Sequence, residues 1–233
     1  MCDIILLFSQ HLQRFGDNVH VILDGYECVP SIKDHEHSRR GSAVAHVAAF
    51  WQLNSSTKDI GAREPFLANI NHKKAFVKVL VNYLRRCSVH VYEATDDADT
   101  VIASTALQLA TLDQPVVLFA EDTDILALLL HHRKHEMADI YFMSDGKRGR
   151  GGERVARKTI SVTALQNKIG YNSCVSLPAI HAFGGCDTTS AIFGHGEGAI
   201  FSKIVTDSGL RDHCRTLQCE TATVQAKKSA LLV

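Results

Sequence analysis

The stretch SVHVYEATDDADTVIASTALQLATLDQPVVLFAEDTDILALLL, residues 88–130, decides the fold of this chain. It contains two short apolar runs, residues 88–92 and 115–120, whose length and β-branched residues are typical of buried strands. Apolar residues at helical spacing lie between the two runs and again after the second run. Strands and helices that alternate in this way indicate βαβ units, and therefore a mainly parallel sheet.

Two more strands and one helix flank this stretch. Residues 18–24 (NVHVILD) and 139–143 (DIYFM) have the apolar character of buried strands. Residues 72–86 have the apolar spacing of an amphipathic helix, with Leu80 and Leu84 on its apolar face. We therefore predict an α/β fold in which helices flank a mainly parallel, twisted sheet.

The composition of the whole chain is that of a globular protein. Of its 233 residues, 45% are apolar and 21% are charged, which is outside the range of disordered sequences. The 25 basic and 25 acidic residues give no net charge, so a strongly basic nucleic-acid-binding domain is excluded, although locally basic surfaces are not. No apolar run approaches the roughly 18 residues of a membrane span, and the N-terminus lacks the features of a secretion signal. We expect an intracellular protein of the nucleus or cytoplasm.

The 7 cysteines form no recognisable disulfide or metal-binding pattern. Their number is odd, and no CxxC pair occurs. Cys214 and Cys219, with His213 beside them, come closest to a metal cluster, but their spacing differs from that of a zinc finger. We expect buried or unpaired thiols.

Acidic residues follow three of the predicted strands. Asp24 ends the first strand, the segment DDAD contains Asp97 and Asp99, and the segment EDTD contains Asp122 and Asp124. The carboxyl ends of strands form the ligand-binding edge of an open α/β sheet, so these carboxylates should converge there. Clustered carboxylates repel each other unless a cation lies among them, and Mg²⁺ prefers carboxylate oxygens. Two such ions would suit the hydrolysis of phosphodiesters.

The acids also have other interpretations. An aspartate after a strand often caps the next helix, and Asp122 could cap the helix that contains residues 126–130. For one acid alone the two interpretations are equally good, but the three acidic segments together favour a shared metal site. The pair Asp122 and Asp124 also matches the D-x-D motif of haloacid-dehalogenase-type phosphotransferases. That motif predicts Thr or Val two residues after the second Asp, where this sequence has Leu126, so the match is incomplete.

Four motifs in a fixed order make the chain resemble a known family. They are VILDGY (21–26) followed by SRR (38–40), EATDDADTVIA (93–103), AEDTDIL (120–126) and GGCDTTSAIFGHGEG (184–198). Over about residues 1–205 the chain resembles the flap-endonuclease and XPG-type nucleases of the PIN-like superfamily, and more closely a group of animal proteins that carry that fold. The resemblance implies a PIN-like nuclease domain over residues 1–175, a helix-two-turn-helix element over 176–205 and a C-terminal tail over 206–233.

The resemblance also implies a metal site and a reaction. The protein would be a structure-selective nuclease that uses two Mg²⁺ or Mn²⁺ ions to hydrolyse nucleic acid, with DNA as the first choice of substrate. If Asp97 lay inside a regular helix it would not face Asp99, whereas Asp96 would, so Asp96 is an alternative to Asp97. The implied metal ligands are Asp24, Asp97, Asp99, Asp122, Asp124 and Asp187.

A second implied site holds the nucleic acid. The glycines of the helix-two-turn-helix element would let backbone N–H groups approach phosphates closely, with a monovalent cation as a further possible ligand. A plain glycine turn between two helices is the alternative, and His181 would support the neighbouring Gly-Gly turn. Basic residues in the region of the family's arch would contact the strand, although a solvated helix face is an equally good interpretation. The implied nucleic-acid contacts are Gly194, Gly196, Gly198, Arg39, Arg40, Lys73 and Lys74.

The N-terminus departs from the family pattern. Related nucleases begin with a strand that ends in a metal-binding aspartate, whereas residues 1–15 here have helical apolar spacing. We therefore expect either a fragment or incorrectly assigned start, or a protein that has lost this ligand. The alternative to a nuclease is accordingly a catalytically impaired PIN-like protein that binds nucleic acid or a protein partner.

Overall fold

The computed structural model describes residues 18–24, 70–95, 97–144, 158–185, 194, 196–219, 221 and 223. The chain divides into two compact units, Met1–Ala98 and Asp99–Val233. Among the described residues, no helix is long and apolar enough to cross a membrane. In chain order the elements are β1 (His20–Leu23), α1 (Ile70–Arg86), β2 (His90–Glu93), α2 (Ala98–Ala110), β3 (Val116–Phe119), α3 (Thr123–His132), β4 (Ile140–Ser144), β5 (Lys158–Ser161), α4 (Val162–Ile169), α5 (Tyr171–Val175), α6 (Leu177–Gly184), α7 (Glu197–Thr206) and α8 (Ser208–Gln218).

In the first unit, a helix covers a pair of parallel strands. Strands β1 and β2 run parallel, with His20 opposite His90 and Leu23 opposite Glu93. Helix α1 buries Leu80 and Leu84, which pack with Val89 into one hydrophobic cluster. The predicted strands and the predicted amphipathic helix are confirmed here, because the apolar spacing of α1 places its large side chains on one face.

The sheet of the second unit has three described strands. Strands β3 and β4 pair in parallel, and β4 and β5 pair in antiparallel fashion. Strand β5 was not predicted, because its sequence KTIS contains a single large apolar residue and no hydrophobic run. The α/β class is confirmed for the described residues, which contribute to two sheets with flanking helices.

One face of this second sheet forms the main core. Leu129 of α3 and Ile140 of β4 are completely buried, and each stabilises the fold by about 1.5–3 kcal/mol relative to an exposed side chain. The buried residues of α2 are all alanines, and small residues allow the helix to lie close to its neighbours. Residues alternate along β3, so Val117 and Phe119 are on the opposite face, with 52% and 42% of their surface exposed.

Helices α6, α7 and α8 enclose a second hydrophobic cluster in this unit. Ile180, Ile200 and Ile204 are its large buried side chains. Asp207 caps α8, since its carboxylate accepts hydrogen bonds from the backbone N–H groups of Gly209 and Leu210. The predicted C-terminal tail therefore begins with a capped and packed helix, and residues 224–233 lie outside the described part of the chain.

Candidate functional site

The first unit carries acids at the carboxyl end of its parallel strands. Asp24 directly follows β1 and is exposed, while Asp97 lies beyond β2 and is half-buried. Both strands run in the same direction, so the two residues follow the same edge of the sheet. Glu93, at the end of β2, forms an exposed ion pair with Arg85, with 2.9 Å between Oε1 and Nη2. Asp96 lies outside the described residues.

The start of helix α2 places the two acids of DDAD in different backbone environments. Asp97 precedes the helix, whereas Asp99 lies in its first turn and is half-buried. Because Asp97 precedes the helix, the helical spacing that would turn it away from Asp99 does not apply to it. A carboxylate in the first turn of a helix is stabilised by the partial positive charge of the helix N-terminus.

Asp122 caps helix α3, which is one of the two roles that the sequence allows for it. It is the N-cap of α3, and its Oδ1 accepts a hydrogen bond from the backbone N–H of Asp124 at 3.0 Å. Such a cap stabilises a helix by about 1 kcal/mol. Capping engages one oxygen of an exposed carboxylate, so it does not remove Asp122 from the candidate site. The capping interpretation is confirmed, and the metal-binding role stays a prediction.

Asp124 contacts a histidine that the sequence analysis did not connect to it. His181 Nε2 lies 3.4 Å from Asp124 Oδ2, and His181 Nδ1 lies 3.2 Å from Glu197 Oε1. The imidazole of α6 therefore joins the first turn of α3 to the first residue of α7. His181 is 57 residues from Asp124 along the chain, and no local sequence pattern joins such distant residues.

Gly184 provides the space in which Glu197 lies. A Cβ atom at position 184 would be 2.2 Å from Glu197 Cγ, far inside van der Waals contact. The absence of a side chain at Gly184 therefore allows Glu197 to approach α6 and reach His181. The Gly-Gly pair at 184–185 is the sequence signal for this close approach, but the same pair also predicts a turn.

The glycines predicted to contact nucleic acid lie at the start of α7. Gly194 adopts a positive φ of 79°, Gly196 is the N-cap, and Gly198 lies in the first turn. All three are exposed, and a Cβ at any of them would meet no atom within 4 Å among the described residues. Gly196 has no side chain, so it cannot cap the first N–H groups of α7 as Ser or Asp would.

Two of the remaining predicted site residues lie in the described part of the chain. Lys73 and Lys74 lie on α1 and are half-buried. Asp187, Arg39 and Arg40 lie outside the described residues, so their predicted roles stay predictions.

The cysteines next to His213 are thiols. Cys214 is buried, and burial raises its pKa, while Cys219 is exposed. His213 Nδ1 contacts the carbonyl of Gly209, one turn earlier in α8. Both cysteines are thiols in the structure, as expected, and the interpretation that they hold no metal stays a prediction.

The donor chemistry at α3 suits a hard divalent cation. Asp122 and Asp124 offer carboxylate oxygens, which Mg²⁺ and Mn²⁺ prefer over nitrogen or sulfur. Within the described ranges, no group of three or more His, Cys, Asp or Glu side chains is arranged to hold a metal ion. The two aspartates therefore fit as part of a metal site and do not complete one by themselves.

Comparisons with known proteins assign no family to this chain. No protein-family model matches the sequence, and no curated protein matches it significantly. The site is therefore interpreted from its own residues and geometry.

Proposed function

We propose that this chain is a metal-dependent, structure-selective nuclease with a PIN-like fold, which hydrolyses phosphodiester bonds in nucleic acid. The observation that carries the proposal is the placement of Asp122 and Asp124 at the carboxyl end of β3, a strand in parallel pairing with β4. This is the edge at which open α/β folds bind their ligands. The PIN-like fold, with its mainly parallel, twisted sheet, is part of this proposal.

The residues of this edge would have distinct tasks. Asp122 fixes the start of α3 through its cap, and the same helix carries Asp124 in its first turn. Both carboxylates would hold a divalent cation, Mg²⁺ or Mn²⁺. When bound, such cations activate the attacking water and stabilise the leaving oxygen in phosphodiester hydrolysis. Before a cation binds, the partial positive charge at the N-terminus of α3 stabilises both carboxylates and so offsets part of their mutual repulsion.

The start of α7 supports nucleic acid as the substrate. Gly196 and Gly198 place no side chain of their own over the first N–H groups of α7, and phosphate groups bind well at helix N-termini. Backbone contacts of this kind carry no sequence information, which agrees with a nuclease that recognises the shape of its substrate.

The proposal is tested by cleavage assays on the full chain. Substrates are DNA duplexes with a single-stranded flap or a branch, with RNA counterparts, in Mg²⁺, Mn²⁺ or EDTA. We expect cleavage in either metal and none in EDTA. Asp124→Asn keeps the side-chain shape and should lower the rate by about a thousandfold, because a metal contributes several kcal/mol and each 1.4 kcal/mol is tenfold in rate. Asp212→Asn, an exposed residue of α8, is the control and should leave the rate unchanged.

A second candidate function is nucleic-acid binding without cleavage. The open glycine start of α7 favours it, because this feature needs no metal to contact phosphates. In that case the chain would shift the same DNA or RNA in a binding assay while cleaving none of it in either metal. A chain that neither binds nor cleaves any of these substrates would refute both candidates.

A further inference from the structure

We infer that His181 is a positioning residue for the proposed metal site, and that it holds the Asp124 carboxylate in place by linking it to Glu197. The link has two contacts, 3.4 Å from Nε2 to Asp124 Oδ2 and 3.2 Å from Nδ1 to Glu197 Oε1. Each ring nitrogen of His181 thus faces one carboxylate, and the ring itself is packed between two helix starts. This inference rests on the proposed function, because only a bound cation would make the orientation of Asp124 matter.

Glu197 approaches the backbone of α6 closely, which makes it a suitable anchor even though its side chain is exposed. Its side chain lies over the Cα of Gly184, where a single added carbon would be 2.2 Å from Glu197 Cγ. The same residue begins α7, whose buried Ile200 and Ile204 pack against Ile180 of α6. His181 and Glu197 therefore belong to helices that are already fixed against each other, and the imidazole can transmit that rigidity to Asp124.

The two aspartates of the proposed site have different contacts in the structure. The Asp122 carboxylate is oriented by its bond to a backbone N–H in α3. Asp124 lies in the first turn of that helix, and its Oδ2 lies 3.4 Å from His181 Nε2. Residues that bind a metal ligand and fix its orientation typically contribute about 10–100-fold to metal affinity or activity.

Two substitutions at position 181 separate the two contacts. Asn places its amide nitrogen one bond beyond Cγ, near the position of Nδ1, so His181→Asn keeps a donor toward Glu197 and loses the one toward Asp124. Gln places its amide nitrogen one atom farther out, near Nε2, so His181→Gln keeps a donor toward Asp124. Glu197→Ala removes the anchor from an exposed position, and Glu136→Ala, beyond the other end of α3, is the matched control.

The experiment measures Mn²⁺ binding to the full-length chain at constant pH, from the loss of the paramagnetic resonance signal of free Mn²⁺. Melting temperatures without metal report whether each variant is folded. We expect His181→Asn to weaken Mn²⁺ binding by about 10–100-fold and Glu197→Ala by about tenfold, with His181→Gln within about threefold of the unchanged chain. The Glu136→Ala variant should bind Mn²⁺ as the unchanged chain does.

The outcomes distinguish the inference from the function on which it rests. If the unchanged chain binds no Mn²⁺, the proposed metal site is refuted, and the inference falls with it. If the unchanged chain binds Mn²⁺ and the folded His181→Asn and Glu197→Ala variants bind it equally well, only the positioning role is refuted. Equal weakening by His181→Asn and His181→Gln would also refute it, since the contact with Asp124 would then not be the cause. Should His181→Asn fail to fold, Glu197→Ala decides.

Discussion

A buried amide at the end of α3 gives the sharpest test of how the second unit is held together. Gln166 of α4 and Arg133, the C-cap of α3, are 8% and 5% exposed. Gln166 Oε1 accepts a hydrogen bond from Arg133 Nη1 at 3.1 Å, and Gln166 Nε2 donates to the carbonyls of Leu130 and Arg133 at 3.1 and 3.0 Å. One side chain therefore bonds two carbonyls at the helix end and one guanidinium nitrogen of the buried Arg133.

We predict that Gln166→Leu destabilises the protein by about 3 kcal/mol. A hydrogen bond to a charged group contributes about 1.5–3 kcal/mol, and each buried carbonyl left without a donor costs about 1–3 kcal/mol, part of which relaxation recovers. Arg133 keeps one bond, from Nη2 to the carbonyl of Met137 at 2.7 Å, which limits the loss. With an unfolding entropy of about 2.1 cal/mol/K per residue over the unit Asp99–Val233, the melting temperature should fall by about 10 °C.

Thermal and urea unfolding, followed by circular dichroism, would measure the effect. The control is Asn167→Leu, the same exchange of an amide for Leu at the next, exposed position of α4, with an expected change within about 0.5 kcal/mol. Adding Arg133→Met to Gln166→Leu should cost less than the sum of the two single changes, because no buried charge then remains unpaired. Equal stability of the two Leu variants, or strict additivity in the double variant, would refute this reasoning.

Two further predictions concern titratable groups. Partial burial raises the pKa of Asp139, but hydrogen bonds from Ser161 and Thr163 outweigh this effect and lower the pKa below its ordinary 3.8. The ionised Asp139 therefore stabilises the folded protein fully above about pH 4, and this contribution is lost as the pH falls through the pKa of the folded state. Asp139→Asn should therefore lower the stability at neutral pH and flatten its decline in acid, as measured by urea unfolding at several pH values; an unchanged acid branch would contradict this. Burial raises the pKa of Cys174 to about 11, so iodoacetamide at pH 8 should alkylate exposed Cys219 and leave Cys174 unmodified in the native protein, with mass spectrometry as the measurement and the urea-unfolded chain as the control.

The sequence predicted those elements that contain a short apolar run or apolar residues at helical spacing. The helical spacing of Leu80 and Leu84 predicted helix α1, and short apolar runs such as those around Val91 and Leu118 predicted strands β1 to β4. Strand β5 was missed, since its pairing with β4 depends on backbone hydrogen bonds that leave no apolar signal in KTIS. Element type thus follows from local patterns, whereas the pairing of a short polar strand depends on its tertiary neighbours.

The candidate site shows the same division. The capping role of Asp122 was foreseen as one interpretation, because a cap involves only residues within one turn. The contacts of His181 with Asp124 and Glu197 join residues far apart in the chain, and their distances depend on how α3, α6 and α7 pack. The network of Gln166 was missed for a similar reason, since a glutamine in an amphipathic helix is ordinarily expected on the surface.

The close approach of Glu197 to Gly184 has a consequence for how this sequence can vary over evolution. A residue with a Cβ at position 184 can coexist only with a side chain at 197 that lacks a Cγ in this place, or with a displaced helix start. The two positions should therefore change together among related chains, with glycine at 184 accompanying a long side chain at 197. A lineage that acquires alanine at 184 should carry a short residue at 197 or a glutamate turned away from α6, and in either case the contact of His181 with position 197 would be lost.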